Sequence, residues 1–168
     1  LYRTNPQSRA IEDEFRYLIA GGSDLDYEII GGTKFYDRKE VKDILAYMRL
    51  IVNPNDQISF DRVINFPVRG IGKTSVQKIY DFANENNLIN VISDLENLKI
   101  GKSQKVSINK FYKMITSFSS RSNTDRPSSI VYDLVDELDL KEYYLGQNTS
   151  ESYDRWKNIE ELISSILD

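Results

Sequence analysis

The stretch DRKEVKDILAYMRLIV, residues 37–52, decides how the chain begins to fold. Its apolar residues recur every three or four positions, which is the spacing of one face of an amphipathic α-helix. The pattern predicts a helix that is capped by Asp37 and runs to about Val52, because a carboxylate can accept hydrogen bonds from the free amides at a helix start. The polar sequence at 53–56, which contains a proline, then breaks the helix. The predicted buried stripe comprises Val41, Ile44, Leu45, Met48 and Ile51 or Val52.

Before this stretch the sequence predicts one helix and one strand. Residues 8–19 carry apolar side chains at helical spacing, and Pro6 near their start is a helix opener. Residues 27–30 are the one good strand candidate, and Gly31-Gly32 ends it. A small α/β portion is therefore expected at the N-terminal side of the chain.

After this stretch the pattern is helical. A short helix is predicted through Phe60, Val63 and Ile64, followed by a helix carrying Val76, Ile79, Tyr80 and Ala83. A segment rich in Ser, Asn and Pro at 119–129 indicates a surface loop. Trp156 and Leu162 are expected in the core together with the earlier apolar positions. The chain is thus predicted to be mainly α, with further helices near 102–119, 127–138 and 151–167.

Composition excludes several classes of function. The 168 residues include no cysteine and no histidine, so disulfides, thiolate metal sites and catalysis by Ser-His-Asp or Cys-His are impossible within the chain. No metal site is predicted. The lack of cysteine favours a reducing, cytoplasmic setting. No apolar run approaches the roughly 20 residues that span a bilayer, so no membrane partner is expected.

Charge is unevenly distributed along the chain. The net charge of −4 contrasts with the basic surface usual in nucleic-acid-binding proteins. Residues 133–142 hold five acids against one lysine, whereas residues 97–115 hold no acid. Either stretch could be the solvated face of a helix. The second contains five lysines: Lys99, Lys102, Lys105, Lys110 and Lys113.

The sequence Gly72-Lys73-Thr74 resembles the end of a nucleotide-binding phosphate loop. That loop also needs a glycine five positions before Gly72, and Pro67 stands there without an amide hydrogen. A helix-hairpin-helix accounts for the segment better, because two glycines permit a tight turn and Ile71 can plug the space between two short helices. Amides at the start of the second helix could then hold a DNA phosphate. The alternative is a turn that only links two helices.

Four blocks of the sequence, at 1–9, 29–47, 50–56 and 62–72, resemble in this order the UvrD/PcrA/Rep family of ATP-dependent DNA helicases. LYRTNPQSR at 1–9 resembles helicase motif IV, with Pro6 where the family commonly has alanine. IIGGTKFYDRKEVKDILAY at 29–47 is similar to a family stretch almost letter for letter, and the segments 50–56 and 62–72 continue the match in order. Ile100-Gly101-Lys102 resembles a degenerate second hairpin. Residues 18–27 depart from the family, which is usually about five residues shorter there.

The resemblance implies a part of a 3′-to-5′ DNA helicase, active in DNA repair, that extends from motif IV into an inserted helical subdomain. Residues 1–100 would be the first part of the second RecA-like motor domain, called 2A, and residues 101–168 the start of the 2B subdomain. Tyr2 would stack on the adenine of ATP and Arg3 would reach its γ-phosphate. DNA-binding residues would be Arg69, Gly70, Ile71, Gly72, Lys73, Thr74, Lys102, Ser103 and Lys105.

The same resemblance implies the ligands and partners. ATP and Mg²⁺ would be bound mainly by residues outside this chain, which by itself would hydrolyse no ATP. Partners would be a junction of single-stranded and duplex DNA, the remainder of the helicase chain and repair proteins. Two alternatives stay open: a stand-alone helix-hairpin-helix DNA-binding module without ATPase activity, and a helical protein-interaction domain.

Overall fold

The chain forms a helical bundle in a computed structural model. The structure describes Glu14, Tyr17, residues 35–83, Val91 and residues 95–167. The predicted strand at 27–30 and most of the predicted helix at 8–19 lie outside these residues. Short 3-10 helices at Phe35–Asp37 and Leu95–Asn97 accompany seven described α-helices: α1 (Lys39–Val52), α2 (Gln57–Val63), α3 (Lys73–Ala83), α4 (Lys102–Arg121), α5 (Pro127–Glu137), α6 (Leu140–Leu145) and α7 (Ser150–Leu167).

Helix α1 confirms the predicted stripe and its predicted end, but not its predicted cap. The helix begins at Lys39 after Arg38, whose backbone is extended and whose side chain makes no capping hydrogen bond. Asp37 is instead the last residue of the preceding 3-10 helix, and its Oδ1 lies 2.8 Å from Lys42 Nζ. Because that extra turn takes up Asp37, the carboxylate is displaced from the cap position. At the other end Val52 closes the helix and is exposed.

The core is centred on α1, which packs against α2, α4, α5 and α7. Tyr47 is fully buried, and its ring centroid lies 6.3 Å from that of Phe111 on α4. Phe60 on α2 lies 6.0 Å from the same ring. Each such aromatic side chain stabilises the fold by about 2–3 kcal/mol through burial. Helices on both sides of residue 100 therefore share one core, while the predicted 2A/2B division remains a prediction.

The later helices confirm the mainly helical prediction and correct its details. Helix α4 continues to Arg121, so the connection to α5 is shorter than the predicted loop at 119–129. Helix α6, Leu140–Leu145, was not predicted as a separate element, because six residues are too few to show helical periodicity. No strand occurs within the described residues. Nor does any helix among them combine the length and apolar character that crossing a membrane requires.

Buried polar groups fix how α1 is oriented against α7. Asn158 on α7 accepts a hydrogen bond from Arg38 Nη1 at 2.9 Å and donates one to Glu40 Oε1 at 2.5 Å. All three residues are buried. One turn further along α1, Asp43 pairs with Arg62 Nε at 2.8 Å, yet burial raises the pKa of its carboxyl group. Since these bonds are directional, they select one rotation of α1 that apolar contacts alone would not.

Replacing Asn158 with alanine should lower the free energy of unfolding by about 2–3 kcal/mol, because the charged groups of Arg38 and Glu40 lose a buried partner. Urea denaturation followed by circular dichroism measures the change. The matched control is Lys157→Ala, an exposed neighbour on α7, which should stay within about 0.5 kcal/mol of the parent. Equal stability of the two variants would contradict the role assigned to this network.

Candidate nucleic-acid interface

The segment between α2 and α3 forms an exposed turn around Gly70 and Gly72, here called the Gly turn (residues 69–74). Gly70 has a φ of +72°, a conformation that L residues rarely adopt. Ile71 is buried and only 2% exposed, while its predicted place between two helices of a helix-hairpin-helix stays a prediction. A helix, not a strand, precedes the turn, which is a second reason to reject a nucleotide-binding phosphate loop.

Asn65 holds the turn from the side of α2. Its Oδ1 accepts hydrogen bonds from the backbone amides of Arg69 at 2.8 Å and Ile71 at 3.1 Å. One side chain therefore fixes the backbone on both sides of Gly70. Sequence reasoning missed this residue, although asparagine is a frequent partner of backbone amides in turns.

The start of α3 presents backbone amides beside exposed polar side chains. The carbonyl of Gly72 accepts the first hydrogen bonds, from the amides of Ser75 at 2.9 Å and Val76 at 3.1 Å. The amides of Lys73 and Thr74 precede this first pair, and both side chains are exposed. First-turn amides and the helix dipole together favour an anion. A β-carbon added to Gly72 would meet no atom within 4 Å, so the surface next to these amides is open.

Arg69 differs from the other predicted DNA-binding residues. Its side chain is half-buried, and its Nη1 donates to the carbonyl oxygens of Phe66 at 2.7 Å and Val63 at 3.0 Å. Its Nη2 donates to Tyr47 Oη at 2.8 Å. Burial raises the pKa of Tyr47 to about 12, so this hydroxyl stays protonated at neutral pH. The guanidinium is thus directed into the protein and not toward solvent.

The structure brings the second predicted glycine segment next to the Gly turn. Gln104, near the start of α4, accepts a hydrogen bond from the amide of Gly101 at 3.3 Å through Oε1. Its Nε2 donates to the carbonyl oxygen of Gly70 at 3.0 Å. Lys102 and Ser103 are exposed beside this bridge. Sequence reasoning missed Gln104, although a glutamine at the third position of a helix is a capping signal.

Two lysines support this junction through backbone contacts. Lys78 Nζ, on α3, donates to the carbonyl oxygen of Lys99 at 2.9 Å. Lys105 Nζ lies 3.6 Å from a carboxylate oxygen of Glu96 and donates to its carbonyl oxygen. The Lys105 side chain is 17% exposed, so it is much less accessible than Lys102 or Ser103.

The lysine-rich stretch does not form one basic surface. Lys110 and Lys113 line a groove of about 740 Å³ between α4 and α5, whose other wall holds acidic residues. Arg121 in the same groove pairs with Asp133 at 2.5 Å and Asp125 at 2.7 Å. The expected basic stretch therefore divides into a part at the start of α4 and a part that faces acids. The acids of the groove are Asp133, Asp136 and Glu137.

Tyr2 and Arg3 lie outside the described residues. Within the part of the chain that the structure describes, no group of three or more acidic side chains is placed to hold a metal ion.

Comparison with known protein families matches the whole chain, residues 1–168, to the UvrD-like helicase C-terminal domain. The chain belongs to this family.

Similar proteins of known name agree with this membership. The chain is 39% identical to the ATP-dependent DNA helicase PcrA of Bacillus subtilis (strain 168) over 166 residues. It is 40% identical to the protein of that name in Staphylococcus aureus (strain Mu50 / ATCC 700699) and 37% identical to the one in Staphylococcus epidermidis. Each match covers 98% of this chain but 22% of the relative. This member of the UvrD-like helicase family thus spans about a fifth of the length of those relatives.

The two glycines of the turn should respond differently to alanine. Gly70→Ala should lower the free energy of unfolding by about 1–2 kcal/mol, because a β-carbon disfavours positive φ. Gly72→Ala should change it by less than about 0.5 kcal/mol, since its φ is not positive and its surroundings are open. Urea denaturation of both variants provides the comparison. A greater loss for Gly72→Ala would show that the backbone of the turn differs from this structure.

Proposed function

We propose that this chain is part of an ATP-dependent 3′-to-5′ DNA helicase and supplies a surface that contacts DNA near the junction of single and double strands. Family membership supports the general assignment, and the relatives carry the printed name ATP-dependent DNA helicase. In this proposal the chain works with the remainder of a longer helicase and with repair proteins, and hydrolyses no ATP by itself. Its own contribution is to hold duplex DNA.

The observation that carries the proposal is the bridge made by Gln104. It joins the start of α4 to the carbonyl of Gly70, three residues before α3 begins. Each helix start offers backbone amides and an exposed lysine, Lys73 on α3 and Lys102 on α4. Two such anion-favouring ends fit two phosphates of a DNA backbone better than a single small ligand. Thr74 and Ser103 add hydroxyl donors.

Contact between a DNA phosphate and the protein's backbone amides explains why glycine occupies the turn. A phosphate can reach the amides of Lys73 and Thr74 closely only if no side chain projects from Gly72. Gly70 supplies the required backbone conformation, and Ile71 anchors the turn in the core. Such recognition uses the shape and charge of the DNA backbone and is independent of base sequence. We assign Lys105 a supporting role and not a phosphate contact, because its amino group is paired with the carboxylate of Glu96.

Lys73→Ala should weaken duplex binding and reduce the slope of log affinity against log salt concentration by about 0.9, since one phosphate contact is lost. Gly72→Ala should weaken binding while leaving stability unchanged. Fluorescence anisotropy with a labelled duplex that carries a single-stranded tail, measured from 50 to 200 mM salt, gives both quantities. Lys157→Ala removes the same charge from α7 and should bind like the parent. If Lys73→Ala and Gly72→Ala both bound like Lys157→Ala, the proposed interface would be wrong.

For the nucleotide, the proposal extends to the first residues of the chain. Tyr2 stacks on the adenine and Arg3 approaches the γ-phosphate, while ATP and Mg²⁺ are held mainly by residues of the longer helicase. The chemistry suits these side chains: an aromatic ring offers its face to a purine, and a guanidinium stabilises the charge that develops during phosphoryl transfer. The resemblance of residues 1–9 to helicase motif IV supports this assignment.

In a longer helicase that contains this chain, Arg3→Ala should reduce the kcat of ATP hydrolysis about a thousandfold, with a much smaller change in KM. Tyr2→Phe keeps the stacking ring and should retain turnover, whereas Tyr2→Ala should raise KM. DNA-stimulated phosphate release measures all three variants. Parent-like turnover in Arg3→Ala would remove Arg3 from the catalytic machinery without affecting the proposed DNA interface.

A further inference from the structure

The side chain of Arg69 is surrounded by backbone carbonyl groups of the residues that precede it. Its Nη1 donates to the carbonyl oxygens of Phe66 and Val63, and the carbonyl oxygens of Pro67 at 3.3 Å and Ile64 at 3.4 Å complete the ring around it. Val63 is the last residue of α2 and Ile64 is its C-cap, where a helix leaves its carbonyl groups without helical partners. A side chain from the Gly turn therefore closes the end of the helix that precedes the turn.

Aromatic rings fix the position of the guanidinium. Its central carbon lies 5.2 Å from the ring centroid of Phe111 on α4 and 6.0 Å from that of Tyr47 on α1. Both rings are buried, and both distances are within the range of cation–π attraction. The guanidinium thereby connects the exposed turn to two helices of the core.

The Tyr47 hydroxyl completes the arrangement. It accepts a hydrogen bond from Arg69 Nη2 and donates toward the carbonyl oxygens of Phe66 and Val63, the latter at 3.3 Å. The carbonyl oxygens of Phe66 and Val63 thus accept hydrogen bonds from both Arg69 and Tyr47. Asn65 meanwhile fixes the backbone amides of Arg69 and Ile71. The residues that flank Gly70 are consequently held through both main chain and side chain.

We propose that Arg69 is a positioning residue, which holds the Gly turn in its DNA-binding conformation and does not itself contact a phosphate. This inference rests on the proposed function of the turn. To reach a phosphate, the guanidinium would have to leave Tyr47 and its carbonyl partners, which would then lose their hydrogen bonds. Keeping it in place lets the amides of Lys73 and Thr74 meet DNA already ordered, which reduces the entropy cost of binding.

This positioning role requires the planar guanidinium group of arginine. Arginine can donate from two nitrogens in fixed directions, one toward the carbonyls and one toward Tyr47, while its central carbon lies over the Phe111 ring. Lysine carries the same charge on a single nitrogen and cannot reproduce this arrangement. Arg69→Lys therefore separates geometry from charge. A phosphate contact would tolerate this change better than a positioning role would.

The test compares Arg69→Lys, Arg69→Ala, Tyr47→Phe and Asn65→Ala with Lys73→Ala. Duplex affinity is measured against salt by anisotropy, hydrogen exchange reports the amides of residues 70–74, and urea denaturation reports stability. Arg69→Lys should bind about tenfold more weakly with an unchanged salt slope, and its turn amides should exchange faster. Tyr47→Phe and Asn65→Ala keep the arginine and should shift binding and exchange in the same direction. Arg49→Lys, at an exposed arginine of α1, is the control and should change neither.

Other results would contradict the inference or the proposed function on which it rests. A salt slope reduced by about 0.9 in Arg69→Ala, as in Lys73→Ala, would make Arg69 a phosphate contact. Lower stability with parent-like binding and exchange would leave it a structural residue only. If the parent chain itself bound no duplex, the proposed function would fail, and hydrogen exchange would still decide the positioning role: faster exchange in Arg69→Lys supports it and unchanged exchange overturns it.

Discussion

The hydroxyl of Tyr47 connects the hydrophobic core to the exposed Gly turn. Its ring is fully buried on α1, while its oxygen accepts from Arg69 and donates toward the carbonyl of Phe66. A phenol suits this place because it is apolar over most of its surface and both donates and accepts at its tip. Replacing it by a larger or smaller apolar residue would preserve part of the packing but disconnect the turn. The position of the turn therefore depends on the position and rotation of α1 in the core.

The seating of α1 depends in turn on its first residues. Apolar burial makes α1 the central helix but acts without direction, so it leaves rotation and sliding weakly determined. Arg38 and Glu40, both bonded to Asn158, restrict these movements at one end of the helix. Tyr47 and its partners restrict them two turns further on. The buried polar groups thus specify the arrangement that the apolar stripe permits, at the cost of desolvating charged side chains.

Periodicity predicted the helices well because it records the local requirement of each helix to bury one face. The stripe of α1 followed directly from spacing, and the end of that helix at Val52 followed from the polar, proline-containing sequence at 53–56. The cap did not, because a 3-10 turn that includes Asp37 was not visible in the pattern. Helix α6 was too short to show a period. These failures share a cause: both elements are determined by how the chain packs at its turns and not by repetition along it.

At the candidate site, residue type did not predict which charged side chains are free to meet a ligand. The two glycines and Lys73 of residues 70–74 indicated an anion-binding turn, and the structure places Lys73 and Thr74 at an exposed helix start. Arg69 looked equivalent to Lys73 in the sequence, yet its carbonyl partners lie two to six positions earlier, and its hydroxyl partner, Tyr47, lies on α1. A charge identifies a potential phosphate contact only when its surroundings leave it free to make one. Those surroundings are determined by tertiary contacts, which the sequence pattern does not show.

The same reasoning resolves the conflict between a net charge of −4 and a surface proposed to bind DNA. At physiological salt the influence of an exposed charge declines over about 8 Å, so a phosphate responds to its immediate neighbours and not to the sum over the chain. Lys110 and Lys113 face acids across the groove between α4 and α5, and therefore add little to attraction elsewhere. In the proposed interface, attraction at the Gly turn would come from backbone amides together with Lys73 and Lys102. Amide dipoles do not enter the formal charge, which is why composition alone underestimates such a surface.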